Sequence, residues 1–106
     1  MNKKVKKLNI LFLDILTDNQ NLKRDINKKI YSGSTYAEEV RKAFGLSISQ
    51  FSVIDGSKNK LPNPARYSSI VIGGSVEDPT KGKEKPWMKK VYTFIREAYK
   101  NKVPIL

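Results

Sequence analysis

The positions whose types and spacing point to chemistry begin with Gly73-Gly74-Ser75, which follows the apolar run Ser69-Ile70-Val71-Ile72 directly. Two residues without Cβ atoms let the chain turn sharply and leave their amides open to close approach by an anion. The triplet reads either as an oxyanion or phosphate site or as a tight turn off a strand end. No G-x-G-x-x-G and no phosphate-loop lysine motif accompanies it, so nucleotide binding gains no support. The sequence has no cysteine and no histidine. That excludes disulfides, Cys/His metal sites, a thiol nucleophile and the usual general base. Catalysis by these residues alone would have to use Ser, Lys, Tyr or carboxylates.

Other positions carry two readings each. Glu77 and Asp78 form an adjacent carboxylate pair, either a metal or acid/base pair or a solvated loop. Asp14 closes the apolar run Leu8 to Leu13 and either caps a loop or contacts a ligand. Trp87 is a ligand platform or, at helical spacing with Val91 and Ile95, a core residue, and the spacing favours core. Tyr31, Ser32, Gly33, Ser34 and Tyr36 make a hydroxyl-rich stretch able to rim a crevice, although capping accounts for Ser34 and Thr35 without a ligand.

These positions need elements to hold them. Leu8 to Asp14 is nearly all apolar, as a strand covered on both faces should be. A polar stretch, Thr17 to Ser32, follows as a connection. Thr35-Tyr36-Ala37-Glu38 fits a capping box, so a helix is expected from there, with Tyr36, Val40 and Phe44 on one face, Ala37 beside them, and Gly45 ending it in a left-handed turn. Ser49 to Ile54 reads as a second strand, and Ser69 to Ile72 as a third. Between them Pro62 and Pro64 stiffen a short connection, in which one helical turn would complete a crossover. Pro86 suits the first position of a long helix with Trp87, Val91, Phe94, Ile95 and Ala98 as its apolar stripe. Asn101-Lys102 ends it, and Val103-Pro104-Ile105-Leu106 starts a fourth strand. This order is α/β with a mainly parallel sheet, expected strand order 2-1-3-4. In such sheets ligands sit beyond the carboxyl ends of the strands, where Gly73-Gly74 falls.

The 106 residues suffice for one domain, and 39% are hydrophobic. No run approaches the roughly 20 apolar residues of a membrane span, and the basic start lacks the apolar segment and cleavage site of a signal peptide. A cytoplasmic chain without membrane contact is the expectation. The net charge of +11 raises the question of nucleic acid. It is disfavoured because Lys outnumbers Arg 17 to 4 and the lysines are spread along the whole chain.

Four segments together resemble one family: Tyr67 to Val76 around Gly73-Gly74-Ser75, Lys85-Pro86-Trp87-Met88, Ile95-Arg96-Glu97-Ala98, and Lys102 to Leu106. Their order and spacing are similar to class I glutamine amidotransferases, nearest the GMP synthase-like subgroup. There a strand ends in Gly-Gly, a Pro-Trp opens a helix, and a Val/Pro-rich strand leads to a Gly-x-Cys-x-Gly elbow. Gly33-Ser34-Thr35-Tyr36 also looks like that subgroup's entry to its first helix. The resemblance spans most of residues 8–106.

The resemblance implies a flavodoxin-like three-layer αβα fold, of which residues 1–106 form the amino-terminal part, truncated before the nucleophile elbow. It implies glutamine as the parent protein's substrate, a synthetase or acceptor-substrate partner for the ammonia, and no cofactor or metal. It makes the Gly74 amide half of an oxyanion hole, gives Gly73 the turn geometry, and puts Ser75 in a substrate-binding position. The cysteine, histidine and glutamate of the family's triad would all follow Leu106, so this chain is not expected to be an enzyme by itself. Related readings are a fragment of another flavodoxin-like cysteine hydrolase or peptidase, and a non-catalytic anion-binding module. The unpaired edge of the fourth strand is expected to promote self-association.

Overall fold

The computed structural model describes residues 8–58, 60–76 and 85–106. Glu77 and Asp78 lie outside them. Three strands, β1 (Ile10–Asp14), β2 (Phe51–Asp55) and β3 (Ser69–Ile72), form an all-parallel sheet in the order β2-β1-β3. β1 is central, and its register places Ile10 beside Phe51 and Ser69, and Asp14 beside Asp55.

The continuous apolar character of β1 follows from its two covered faces. Ile10 and Phe12 point into one core with Ala37, Leu46, Phe51 and Val71. Leu11 and Leu13 point into the other with Ile70, Val91, Phe94 and Ala98. Leu11, Phe12 and Leu13 are essentially solvent-free. Burial of each such side chain contributes about 1.5–3 kcal/mol, so β1 anchors both layers. The chain is α/β, with the layered arrangement of a flavodoxin-like fold.

Three helices accompany the sheet: α1 (Gln20–Tyr31), α2 (Tyr36–Ala43) and α3 (Pro86–Lys100). α2 starts where expected, with the Thr35 hydroxyl accepting from the Glu38 amide at 3.1 Å. Only that half of the capping box forms, because the Glu38 carboxylate turns to Arg41. Gly45 ends the segment at φ +67°. The buried stripe of α2 is centred on the Ala37 side of the expected face. Ala37 is buried and Val40 packs on the core, whereas Tyr36 and Phe44 are 44% and 52% exposed. α3 has Pro86 at its start and buries Met88, Val91, Phe94 and Ala98, with Trp87 and Ile95 half-buried beside them.

Two elements differ from the sequence-based expectation. The polar stretch 17–32 is not a plain connection, since it contains α1. The Asn19 side chain accepts from the Leu22 amide at 3.0 Å and caps that helix, and Ser32 closes it at φ 51°. None of its residues is fully buried, so its polarity reflects a helix lying on the surface. The fourth strand is reduced to a single parallel bridge between Ile70 and Ile105. There the Ile70 amide donates to Pro104 O at 2.8 Å and the Leu106 amide to Ile70 O at 2.7 Å. The position beside β3 is the expected one, but Pro104 has no amide to extend the ladder. The short β2–β3 connection holds one 3-10 turn, Pro64–Arg66, capped by Asn63. Among the described residues no helix is long and apolar enough to cross a membrane.

Candidate functional site

The loop after β3 is laced to the chain leaving β1. The Gly73 amide donates to Leu13 O at 3.1 Å, the Val76 amide to Leu16 O at 3.0 Å, and Ser75 Oγ to the same Leu16 oxygen at 3.2 Å. Neither Gly73 nor Gly74 occupies the left-handed region. Glycine is demanded at 73 by space: a Cβ there would meet Phe12 Cζ at 2.9 Å. At 74 a Cβ would meet nothing within 4 Å. Among the described residues no acceptor takes the Gly74 amide. It is an available donor at the carboxyl end of the sheet.

That donor borders a cleft of about 490 Å³ between this loop and the helices that follow β1. Its wall opposite Gly74 is formed by Ile26, Ile30 and Tyr31 of α1 and Tyr36 of α2, and its base by Phe12. Tyr31 and Tyr36 stack at 5.9 Å, and Tyr36 meets the Phe12 edge at 5.6 Å and 77°. An aromatic series therefore runs from the core to the cleft. A mostly apolar hollow with few polar groups is the usual form of a small-molecule site. Of the hydroxyl-rich stretch, Tyr31 and Tyr36 line this cleft. Ser34 instead donates to Glu39 at 3.1 Å and Thr35 caps α2, while Gly33 supplies a φ of +91°.

Asp14 also reaches the cleft, where it is bound to partners of its own. Its Oδ1 accepts from the Leu16 amide at 3.1 Å, and its Oδ2 lies 2.7 Å from Lys23 Nζ. The same ammonium lies 3.0 Å from Asp55 Oδ2, and Asp55 Oδ1 accepts from the Ser57 amide and hydroxyl at 2.9 and 2.6 Å. One lysine on α1 thus bridges the two carboxylates that end neighbouring strands. Burial opposes the charge on Lys23, but the hydrogen bonds it donates to Asp14 and Asp55 outweigh it and hold the pKa above its ordinary value. For Asp55, burial likewise opposes ionisation, and the Ser57 hydrogen bonds and Lys23 more than offset it, leaving the pKa lowered. Lys23 is therefore a fixed cation, not a base. Among the described residues no cluster of acidic side chains is arranged to hold a metal ion.

Trp87 has a role beyond packing. Its indole N–H donates to Asp18 Oδ2 at 3.1 Å, while Lys85 Nζ donates to Asp18 Oδ1 at 2.9 Å. The Lys85 hydrogen bond, against some burial and aided by Trp87, holds the Asp18 carboxyl below its usual range. Lys23 and Asp18 did not stand out in the sequence. The available signals were Asn19 as a cap and Leu22, Ile26 and Ile30 at helical spacing.

Comparison of the chain with protein-family models yields no match, and comparison with curated proteins and with solved structures yields no significant one. The site therefore has to be interpreted from its own geometry. It offers an anion donor beside an apolar, aromatic-walled cleft, within a sequence that contains no thiol and no imidazole.

Proposed function

We propose that residues 8–106 are the amino-terminal part of a class I glutamine amidotransferase domain of the GMP synthase-like kind, in which Gly74 supplies an oxyanion-hole amide. The observation that carries this reading is the uncommitted Gly74 amide at the cleft mouth, at the carboxyl end of a buried parallel strand. It is supported by the order of the Gly-Gly, Pro-Trp and Val-Pro segments on the α/β fold. In the reaction a cysteine thiolate from the sequence following Val103–Leu106 attacks the glutamine carboxamide carbon. The C–N bond breaks with protonation of the leaving nitrogen, ammonia departs, and water hydrolyses the thioester to glutamate. Gly74 donates to the oxygen that becomes negative in each tetrahedral state, and Ser75 borders the bound glutamine. An ammonia acceptor or synthetase would be the functional partner, and no cofactor is required.

The test is to express the complete reading frame and measure ammonia release from glutamine. A Gly-x-Cys-x-Gly elbow after Leu106 is expected, with glutaminase activity that falls about 10²–10³-fold in Gly74→Pro, as when one oxyanion donor is removed. The 106-residue chain alone should release no ammonia above buffer, since it contains no activated nucleophile. A complete frame without that cysteine, or an inactive one, overturns the proposal. So does turnover by the 106-residue chain that Gly74→Pro abolishes.

A further inference from the structure

On the face of the molecule away from the Gly74 loop, a broad groove of about 1160 Å³ runs between the β2–β3 connection and α3. Lys58 and Lys60 stand on one rim, and Lys89 and Lys90 on the other. Its apolar floor is formed by the half-buried Leu61 and Pro62, with the buried Phe94 beneath them. Pro62 and the buried Pro64 stiffen the connection, so the groove is preformed.

The charges on this groove are unbalanced. Elsewhere Lys23 pairs with Asp14 and Asp55, Lys42 with Glu39, Lys85 with Asp18 and Lys100 with Glu97, whereas Lys28, Lys29 and Lys102 meet no carboxylate among the described residues but do not gather on one groove. None of the four groove lysines has a carboxylate partner among the described residues. The one acidic residue on the groove, Glu97, is 3.6 Å from Lys100 and so already partnered. Four uncompensated ammonium groups over an apolar floor call for a ligand with several carboxylates and some apolar surface.

We infer that this groove is a docking surface for an acidic protein segment carrying apolar side chains, its carboxylates meeting Lys58, Lys60, Lys89 and Lys90 and its apolar groups resting on Leu61 and Pro62. A nucleic acid fits less well. The cations on the groove are all lysines, without the planar guanidinium fork that reads phosphates and bases bidentately, and the one aromatic ring lining it, Phe94, is buried in the core and cannot stack on a base. This inference stands apart from the proposed amidotransferase role, which concerns the separate cleft beside Gly74.

The test uses the 106-residue chain with a short fluorescein-labelled peptide built of glutamate and leucine, followed by anisotropy at increasing salt. Binding that weakens as salt rises is expected. The Lys89→Glu/Lys90→Glu pair should weaken it about tenfold or more, and Lys89→Gln/Lys90→Gln by less. The Lys28→Glu/Lys29→Glu pair on α1 changes the net charge equally and should leave affinity within about twofold. Circular dichroism and thermal melts establish that each variant is folded. Equal losses from the two charge-reversed pairs mean attraction by net charge alone and overturn the inference. It is also overturned by no binding of the peptide, or by tighter binding of a single-stranded oligothymidylate that the α3 pair abolishes.

Discussion

The ring of Phe12 stands where a side chain on Gly73 would begin: a Cβ at 73 would lie 2.9 Å from Phe12 Cζ. Phe12 is 1% exposed, and it packs against Tyr36 and Phe51, so the ring cannot swing aside. The candidate site and the core therefore share one contact. Gly73→Ala should cost about 1–3 kcal/mol through overpacking, whereas Gly74→Ala, with open space and an ordinary φ, should cost under about 1 kcal/mol. Urea denaturation compares the two, and Phe12→Leu in the Gly73→Ala background should recover part of the difference. Equal effects at 73 and 74 would contradict this contact.

Lys23 fastens a helix with no buried residue to the ends of two strands. Lys23→Met leaves two half-buried carboxylates facing each other and should cost roughly 1–3 kcal/mol. Hydrogen exchange should accelerate most in α1. The pH dependence follows from the direction of each shift. The Asp55 carboxyl, held below its ordinary value near 3.8, stabilises the fold above that value and loses the contribution as pH falls through its folded pKa. Lys23, held above 10.5, stabilises the fold below that value and loses the contribution as pH rises through its folded pKa. Stability from this bridge should be flat between those limits. In Lys23→Met the alkaline loss should disappear and the acid loss should begin at higher pH.

Trp87 is the sole tryptophan, so its emission reports on Asp18. The Asp18 carboxyl is lowered from 3.8, first by Lys85 and then by the indole. Emission should step as pH falls through that depressed pKa, while far-ultraviolet circular dichroism is unchanged. The step should be absent in Asp18→Asn. A step that persists there would mean that the indole responds to another group.

The bridge between Ile70 and Ile105 leaves the far side of residues 103–106 available, with Ile105 and Leu106 at 38% and 65% exposure. An apolar strand edge templates pairing with a second chain. Light scattering should show mass rising with concentration, and Leu106→Lys should reduce the association. A monomer throughout, with a cooperative melt, would remove this edge as an interface.

Much of the fold was legible locally. β1 and β3 announced themselves as unbroken apolar runs because both of their faces are covered, and Pro86, Thr35 and Gly45 marked helix ends through groups acting within a few residues. α1 was hidden by composition. Its stripe of Leu22, Ile26 and Ile30 is diluted by lysines and asparagines, and a surface helix needs no more apolar residues than these. Val103, Ile105 and Leu106 made the fourth strand look longer than it is, because an apolar stretch does not show how many ladder bonds it can make.

The amino-acid sequence by itself determined an α/β chain, the glycine pair at the end of a buried strand, and the lack of any thiol or imidazole. Those properties depend on residue type and on short-range periodicity. Only the tertiary structure decided that Lys23 meets Asp55, 32 positions away, that the Trp87 indole finds Asp18, 69 positions away, and that Phe12 requires glycine at 73. It also decided that four lysines from two separate segments border one groove. Such pairings depend on strand register and on where helices come to rest, which no local pattern encodes, because the energy that selects them is shared across the whole packed core.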